Sequence, residues 1–500
     1  MRQAIHIFKK DVRSLRIEIL LLLLLAALLG WAETHAPDAA GVAELLMVLA
    51  INYVIARVVH AEVIPGHNQF WITRPYRWKS LLGAKTLFIL AFVNVPVFAS
   101  QCYMIVAERF SFVASLPGLI WSQVLMLVCV SLPAMCLASL TAGLIPFLLA
   151  EFIVVGAVLI AEAIQVRLQS SAFLPAAQAG PAAVDWVRDS LILVLITCLA
   201  IYVLRWQYKT RRTEIGTKYA VGGAVAAAVI FMLMPWSFAL AVQSGMSKEA
   251  FDSSSLNVAL TSVARSAFPQ RGRGRNPDPE GEVSLPLLIS GVIGGRELAA
   301  DALSFTIIAS NGQTWSSGFI APIMVEGGVA GDPRATIIDG VLHIDADFFE
   351  ASSGRPVTVR VKLHLTSFGN PRSMTIPIQA EPVNVMDGLQ CSAGLFNQLY
   401  CRSIFRWPRR RVYAKTGEGG VESYIRSVSY SPFPATLGFN PIEQHSFSGA
   451  MSATQATVTT KEPLTHFQLE REIPGVLLLD FTAAAKRRAL TAPPPGSAVK

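Results

Sequence analysis

Seven long apolar runs in the first half of this 500-residue chain constrain its fold more than any other feature. A helix needs about 20 mostly apolar residues to cross the hydrocarbon core of a bilayer. The run over 118–164 is too long for one helix, so we divide it near 139–143 into two spans joined by a tight turn. The predicted spans are 17–33, 42–61, 84–106, 118–138, 142–164, 189–206 and 219–242.

Composition separates the chain into two different halves. Charged residues make up only 15% of the chain, against about 25% in ordinary soluble proteins. Residues 1–243 hold 18 Lys and Arg and 12 Asp and Glu, whereas the remainder holds 24 and 22. The second half is therefore soluble in character. The basic excess of the first half lies in short loops between apolar runs, which indicates membrane topology rather than nucleic-acid binding.

The loop charges predict an orientation. Lys and Arg in short loops favour the cytoplasmic side of a membrane. With the N-terminus inside, 14 basic residues fall in cytoplasmic segments and only Arg109, Arg167 and Arg188 fall in the opposite short loops. Seven spans then place everything after about 243 outside the cytoplasm. The predicted location is the inner membrane of a bacterial cell.

The first apolar run has two interpretations. Its basic leader and the small residues downstream are compatible with a cleaved signal peptide. The leader is long, however, and FKKDVRSLR is typical of an amphipathic helix at a membrane surface. We therefore expect residues 1–16 to form a cytoplasmic amphipathic helix ahead of an uncleaved first span.

The second half predicts a mainly-β, sandwich-like extracytoplasmic domain over 283–482. Short runs rich in β-branched residues are separated by Gly, Pro, Asn and Asp turns. We expect residues 244–282 to form a linker region and 483–500 a disordered tail. The predicted strands include VSLPLLIS (283–290), LSFTIIAS (303–310), VLHIDADF (341–348), VTVRVKLHL (357–365), MTIPIQA (374–380) and GVLLLDFT (475–482).

Cysteine positions agree with this division. Four cysteines fall inside predicted spans, where a thiol behaves as a small apolar group. Cys391 and Cys401 lie ten residues apart in the exported half. In an oxidising compartment such a pair commonly forms a disulfide. Two buried free thiols are the alternative.

Sequence motifs for enzymatic chemistry are missing. The eight histidines form no HExxH or other zinc-like spacing, and the chain has no phosphate-binding Gly-x-x-x-x-Gly-Lys-Ser/Thr loop. No Gly-x-Ser-x-Gly elbow is present. We therefore predict that the protein is not an enzyme and binds no cofactor itself.

Glu151 is the polar residue in the spans with the strongest functional signal. It falls near the middle of the fifth predicted span, where a carboxylate is costly unless paired or hydrated. It marks a pathway or an interhelical contact, unless it lies at an interface. Pro96, Pro133 and Pro146 are expected to kink spans three to five.

The loop between spans two and three reads PGHNQFWITRPYRWKSLLGAK (65–85) and combines aromatic residues with a basic stretch. One interpretation is an anchor to anionic lipid. A sharper one is that FWITRP followed by SLLGAK resembles the corresponding loop of ABC-2 type transporter permeases. FKKDVRSLRIEILLLLLL also resembles the first helix and first span of bacterial members. This resemblance covers about residues 1–240.

The resemblance implies that this loop contains a coupling helix that docks on a separate ATP-binding cassette subunit. It also implies a homodimer or paired permease, with ATP bound by the partner. Such permeases usually have six spans and rarely end in a large exported β-domain. The leading hypothesis is a permease subunit of an ABC exporter, and the alternative is a membrane-anchored binding or sensing protein. The implied coupling residues are Phe70, Trp71, Arg74, Pro75, Arg77, Trp78 and Lys85.

Overall fold

Helices occupy the first half of the chain and β-strands predominate in the second. The computed structural model describes residues 2–61, 77–170, 185–261, 282–292, 294, 296–320, 323–325, 336–352, 354–386, 388–393, 399–405, 411–415, 423–424, 439–447 and 454–482.

Among the described residues, seven helical stretches are each long and apolar enough to cross a membrane. This number confirms the predicted seven, and the helix breaks between Leu140 and Leu144, where the sequence predicted the tight turn. Two five-residue π-helical segments, Leu90–Asn94 and Leu127–Ser131, interrupt the third and fourth stretches. The helices are α1 Arg2–Ser14, α2 Arg16–His35, α3 Pro37–His60, α4 Trp78–Ile89, α5 Val95–Ala107, α6 Phe112–Met126, α7 Leu132–Leu140, α8 Leu144–Ser170, α9 Asp185–Thr210, α10 Thr213–Leu233 and α11 Trp236–Gly245.

The last long helix is shorter than the predicted span 219–242. It ends at Leu233, and Met234 has extended backbone angles (φ −64°, ψ 122°). Proline disfavours a helical residue before it and has no N–H to donate, so Pro235 separates α10 from α11. The third stretch, by contrast, begins at Trp78, six residues before the predicted start.

Helices α1 to α9 contribute to one apolar core, whereas α11 packs in a separate cluster with Trp186 of α9. Leu22, Leu29, Met47, Ile51 and Phe88 are fully buried or nearly so. Only 6% of the most apolar window of α8, and 6% of that of α10, is buried. These two helices therefore present apolar surface around most of their circumference.

The described strands form three antiparallel sheets. Their orders are β1-β2-β6-β5, β13-β10-β9-β8 and β12-β11-β14-β7-β3-β4. The strands are β1 Asn257–Leu260, β2 Glu282–Ser290, β3 Glu297–Ile308, β4 Thr314–Ile320, β5 Ile323–Val325, β6 Thr336–His343, β7 Val357–Pro377, β8 Val383–Met386, β9 Leu389–Ala393, β10 Leu399–Ile404, β11 Arg411–Lys415, β12 Ser423–Tyr424, β13 Ile442–Phe447 and β14 Gln455–Val476.

The long strands β7 and β14 span two separate hydrophobic cores. Leu363 and Leu469 belong to a core shared with the β1-β2-β6-β5 sheet. Ile376 and Val458, further along the same two strands, belong to a core shared with the β13-β10-β9-β8 sheet. Instead of one sandwich, the chain therefore builds two, and the six-stranded sheet runs through both.

Two predicted strands are wrong in part. VLHIDADF is a strand only as far as His343, and a short helix, α12, follows at Ala346–Ser352. GVLLLDFT belongs to β14 only as far as Val476, and a 3₁₀ turn follows at Leu478–Phe481. Both runs have apolar residues at spacings that a strand and a single helical turn share, so periodicity does not distinguish them.

Candidate coupling site and the polar residues of the helices

The predicted coupling loop is described only at its second end. Phe70, Trp71, Arg74 and Pro75 lie outside the described residues. Arg77 immediately precedes α4 and is exposed, and Trp78, which begins the helix, is half-buried. The prediction that this region couples to an ATPase stays a prediction.

Lys85 forms a buried ion pair with Asp11 of α1. Its Nζ lies 2.7 Å from Asp11 Oδ2, and both side chains are fully buried. The ring of Phe8 stacks on that of Phe92 and meets Phe88 edge-on beside this pair. The ion pair and the aromatic contacts hold α1 against α4. Lys85 therefore ties two helices together and is not part of the outer surface.

The first end of the loop is anchored as well. His60, the last residue of α3, directs Nε2 at the carbonyl oxygens of Ala138 (2.9 Å) and Thr141 (3.1 Å). Because both partners are acceptors, Nε2 carries the proton. This contact ties the end of α3 to the end of α7, whose last carbonyls have no partner within the helix. On each side of residues 62–76, a described residue, His60 or Lys85, is thus held by a contact with another helix.

The surface beside this loop is basic. Arg77 and Lys79 are exposed, and Lys79 Nζ lies 5.6 Å from the centroid of the Trp78 ring. Lys9 and Arg13 of α1 are exposed too. Asp11, the one acidic residue of α1, is fully buried in its pair with Lys85. The exposed charge of α1 and the start of α4 is therefore positive.

The β-rich region contacts the opposite ends of the helices. Asn440 donates from Nδ2 to Glu33 Oε2 at the end of α2 (2.7 Å). Arg402 of β10 pairs with Glu108, just after α5. Gln390 of β9 donates to the carbonyl of Arg109 at 3.3 Å. The β13-β10-β9-β8 sheet therefore rests on the end of the helix bundle that lies farthest from α1.

Polar side chains connect the third and fourth helical stretches close to where the β-rich region contacts the helices. Gln123 donates to Gln101 Oε1 (2.9 Å), and Gln101 donates to Ser122 Oγ (2.8 Å) and to the carbonyl of Phe439 (3.4 Å). Asn94 donates to Gln123 Oε1 (3.2 Å). Amides in this arrangement hold apolar helices together. The two π-helical segments end two residues before Pro96 and Pro133, where a missing N–H disturbs the helical hydrogen bonds.

Glu151 lies on α8 with its side chain half-exposed. It makes no ion pair or hydrogen bond with any residue that the structure describes. The prediction that Glu151 marks a pathway or an interhelical contact stays a prediction. Pro146 differs from Pro96 and Pro133 in its position. It is the third residue of α8, in the first turn, where a proline destabilises a helix little.

A second polar cluster joins α11 to the β-rich region, and sequence reasoning missed it. Asp301, Thr366, His466 and Gln243 are buried together, with Gln243 Nε2 3.1 Å from Asp301 Oδ2 and Thr366 Oγ1 2.7 Å from His466 Nδ1. Thr366 also donates to Asp301 Oδ2. The Thr366 hydroxyl and the Asp301 carboxylate both lie on the Nδ1 side of the His466 ring, at 2.7 and 3.5 Å, whereas a catalytic triad uses both ring nitrogens. Its geometry suits a structural role, in which the cluster holds α11 against the β-rich region.

Cys391 and Cys401 are disulfide-bonded, as predicted. They face each other on the paired strands β9 and β10. The other four cysteines carry free thiols and lie in helices. Within the described ranges, His, Cys, Asp and Glu side chains form no group of three that could hold a metal ion.

No protein-family model, curated protein or solved structure matches the chain.

Proposed function

We propose that this protein is the membrane-spanning permease subunit of an ABC-type exporter, driven by a separate ATP-binding subunit. In this proposal the seven apolar helices cross a bacterial inner membrane with α1 in the cytoplasm. The β-rich region lies on the other side and receives or gates substrate. The ABC-2 resemblance of residues 1–240 supplies the class of transporter.

The arrangement of charge supports this orientation. The basic residues of α1, of the start of α4 and of the turn between α9 and α10 precede or follow apolar helices at what would be one membrane face. The β-rich region contacts Glu33 and Glu108, at the other ends of the helices. Lys and Arg are retained in the cytoplasm, so the face with α1 is the cytoplasmic one.

The observation that carries the proposal is the fixing of the loop at both ends. His60 ties its start to α7, and Lys85 ties the helix after it to α1. A force applied to residues 62–76 by a docked ATPase would therefore move α3, α4 and α1 together. Conformational change travels through such packed elements.

The outward face of α8 supports pairing of two permease units. Little of this helix is buried, and Glu151 has no polar partner among the described residues. A carboxyl group in a bilayer is stabilised by a partner or by hydration. A second copy, with the pathway between the copies, would supply both.

Co-purification from native membranes tests the proposal. The full-length protein is expected to carry an ATP-binding cassette subunit in mild detergent, and to lose it in the Trp71→Ala and Arg74→Ala variants. Arg355→Ala, at an exposed position in the β-rich region, is the matched control and should retain it. Isolation of the wild-type protein with no ATP-binding subunit would contradict the proposal.

A membrane-anchored sensor is the second candidate. The contacts of Arg402, Gln390 and Asn440 with helix ends would let a ligand of the β-rich region act on the helices. This candidate requires no ATPase, so the same co-purification separates the two.

A further inference from the structure

An open groove of about 510 Å³ runs along α4 directly after the predicted coupling loop. Leu82, Leu87 and Leu90 supply most of its apolar lining. Gly83 lies in the middle of this face and is exposed, and a Cβ at this position would meet no atom within 4 Å. The groove is therefore open space along the helix and is large enough for a small-molecule ligand.

The groove has one polar end and one apolar end. Lys79 and Trp78 line its start, and the exposed side chains of Leu87 and Leu90 line its far end. From Lys79 to Leu90 the helix rises roughly 16 Å, at about 1.5 Å per residue. Half of a typical hydrocarbon core is about 15 Å thick. The groove is thus about as long as one leaflet is thick.

The polar end is positively charged. Arg77 and Lys79 are exposed and form no ion pair with any described residue. The acidic group of α1, Asp11, is committed to Lys85. A tryptophan beside basic residues is typical of the level of the lipid headgroups. This end therefore favours an anionic headgroup over a zwitterionic one.

We propose that this groove binds one anionic phospholipid, with its phosphate beside Arg77 and Lys79 and an acyl chain lying along Gly83 to Leu90. The bound lipid would fill the space between the start of α4 and the bilayer, next to the loop that we assign to coupling. The proposal goes beyond the permease function and rests on the membrane placement proposed above.

Native mass spectrometry of the full-length protein tests the site, after exchange into detergent with added phosphatidylglycerol or phosphatidylcholine. The wild type is expected to retain one phosphatidylglycerol in preference to phosphatidylcholine. Gly83→Leu adds a bulky apolar side chain to the groove, with a Cβ that meets no atom within 4 Å, and should abolish this retention. Lys79→Ala should weaken it about fivefold, because one basic residue near a lipid surface contributes roughly that factor.

Two matched variants control for helix sequence and charge. Gly222→Leu places the same side chain on α10, where a Cβ also meets no atom within 4 Å. Lys218→Ala removes an exposed lysine from the same helix. Both are expected to retain phosphatidylglycerol as the wild type does, and thermal unfolding of all four variants checks that they fold.

Retention of phosphatidylglycerol by Gly83→Leu at the wild-type level would overturn the site. Equal retention of the two lipids would overturn its charge selectivity and the proposal with it. Loss of a dimer in Gly83→Leu with unchanged lipid retention would show that a second copy occupies the groove instead. If the wild type retains neither lipid, the proposed site fails. Recovery of the protein in the membrane fraction then shows separately whether the membrane placement holds.

Discussion

Asp11 and Lys85 carry opposite charges that are removed completely from solvent. Each charge loses its hydration on burial, and the opposite charge of the other residue compensates for this loss. Truncation of one partner therefore leaves an isolated buried charge. Removal of both leaves an apolar contact between α1 and α4, in the neighbourhood of Phe88 and Phe92.

We expect Lys85→Met or Asp11→Leu alone to lower the free energy of unfolding by about 3–5 kcal/mol. The double variant is expected to be close to the wild type. Thermal or denaturant unfolding in detergent measures both effects. A double variant as unstable as the single ones would show that the helices depend on the charges themselves.

His364 gives the β-rich region a predicted pH dependence. Its side chain on β7 is buried beside the Phe319 ring, and burial lowers its pKa to about 4, against a smaller opposing effect of Asp301. Between pH 6.5 and 4 the unfolded chain binds a proton that the folded chain does not. Stability therefore falls as the pH drops through this window, by at most about 3 kcal/mol.

Unfolding at a series of pH values checks this expectation. The wild type should lose stability between pH 6.5 and 4, and the His364→Gln variant should show a flatter profile over the same range. An identical slope in the two proteins would exclude His364 as the source.

The local sequence predicts the structural role of some single residues and not of others. The Cys391–Cys401 pair follows from two cysteines in a segment of soluble composition, which is local information. The role of Lys85 does not follow from local sequence, because its burial depends on the helix that covers it. That helix is α1, whose Asp11 is 74 residues away along the chain. Asp301 gives a visible signal, a carboxylate inside the apolar run ELAADALSF, but its partners come from β7, β14 and α11.

At the scale of elements, Gly118 fixes how the β-rich region meets α6. A Cβ at this position would lie 2.5 Å from the carbonyl oxygen of Phe405, at the end of β10. Gly118→Ala is therefore expected to displace this contact and to destabilise the protein by roughly 1–3 kcal/mol. Limited proteolysis and thermal unfolding measure the loss.

Gly156→Ala is the matched control for this prediction. Gly156 lies in α8, and a Cβ there would meet nothing within 4 Å. Alanine is a better helix former than glycine by about 1 kcal/mol, so this variant should be neutral or more stable. If both variants behave alike, the close approach of Phe405 does not restrict Gly118.

The disulfide links the paired strands β9 and β10. Peptide mapping without reductant should recover one linked peptide that contains Cys391 and Cys401. Replacement of both by alanine is expected to lower stability by about 3 kcal/mol, as the entropy of closing a loop of this length predicts. Alkylation of both thiols without reductant would contradict the bond and weaken the assignment of this region to an oxidising compartment.

Elements that depend on local sequence were predicted well, and those that depend on partners were not. The seven apolar helices and the turn after Leu140 follow from length and composition. The π-helical segments arise where a proline perturbs a helix whose neighbours hold it in place. α12 and the 3₁₀ turn at Leu478–Phe481 replace predicted strands, because short apolar runs fit either structure until their packing is known.

At the scale of the whole molecule, the basic helix α1 and the β-rich region lie at opposite ends of the helix bundle. The contacts of Lys85 with Asp11 at one end and of Glu108 with Arg402 at the other define this arrangement. Hydropathy and composition predicted the two-part layout, because long apolar runs and a stretch of soluble composition are both visible in the local sequence. The pairing of β7 with β14 across two cores joins segments about 100 residues apart, and no local pattern specifies it.

Side-specific labelling in intact bacterial cells tests the central claim, that a membrane separates α1 from the β-rich region. Single cysteines are introduced at the exposed positions Ser14 and Asn311 in a background in which Cys102, Cys129, Cys136 and Cys198 are replaced by serine. A membrane-impermeant maleimide with access to the periplasm is expected to label Asn311→Cys in intact cells, and Ser14→Cys only after the inner membrane is permeabilised. Labelling of both positions without permeabilisation, or the reverse pattern, would contradict this account.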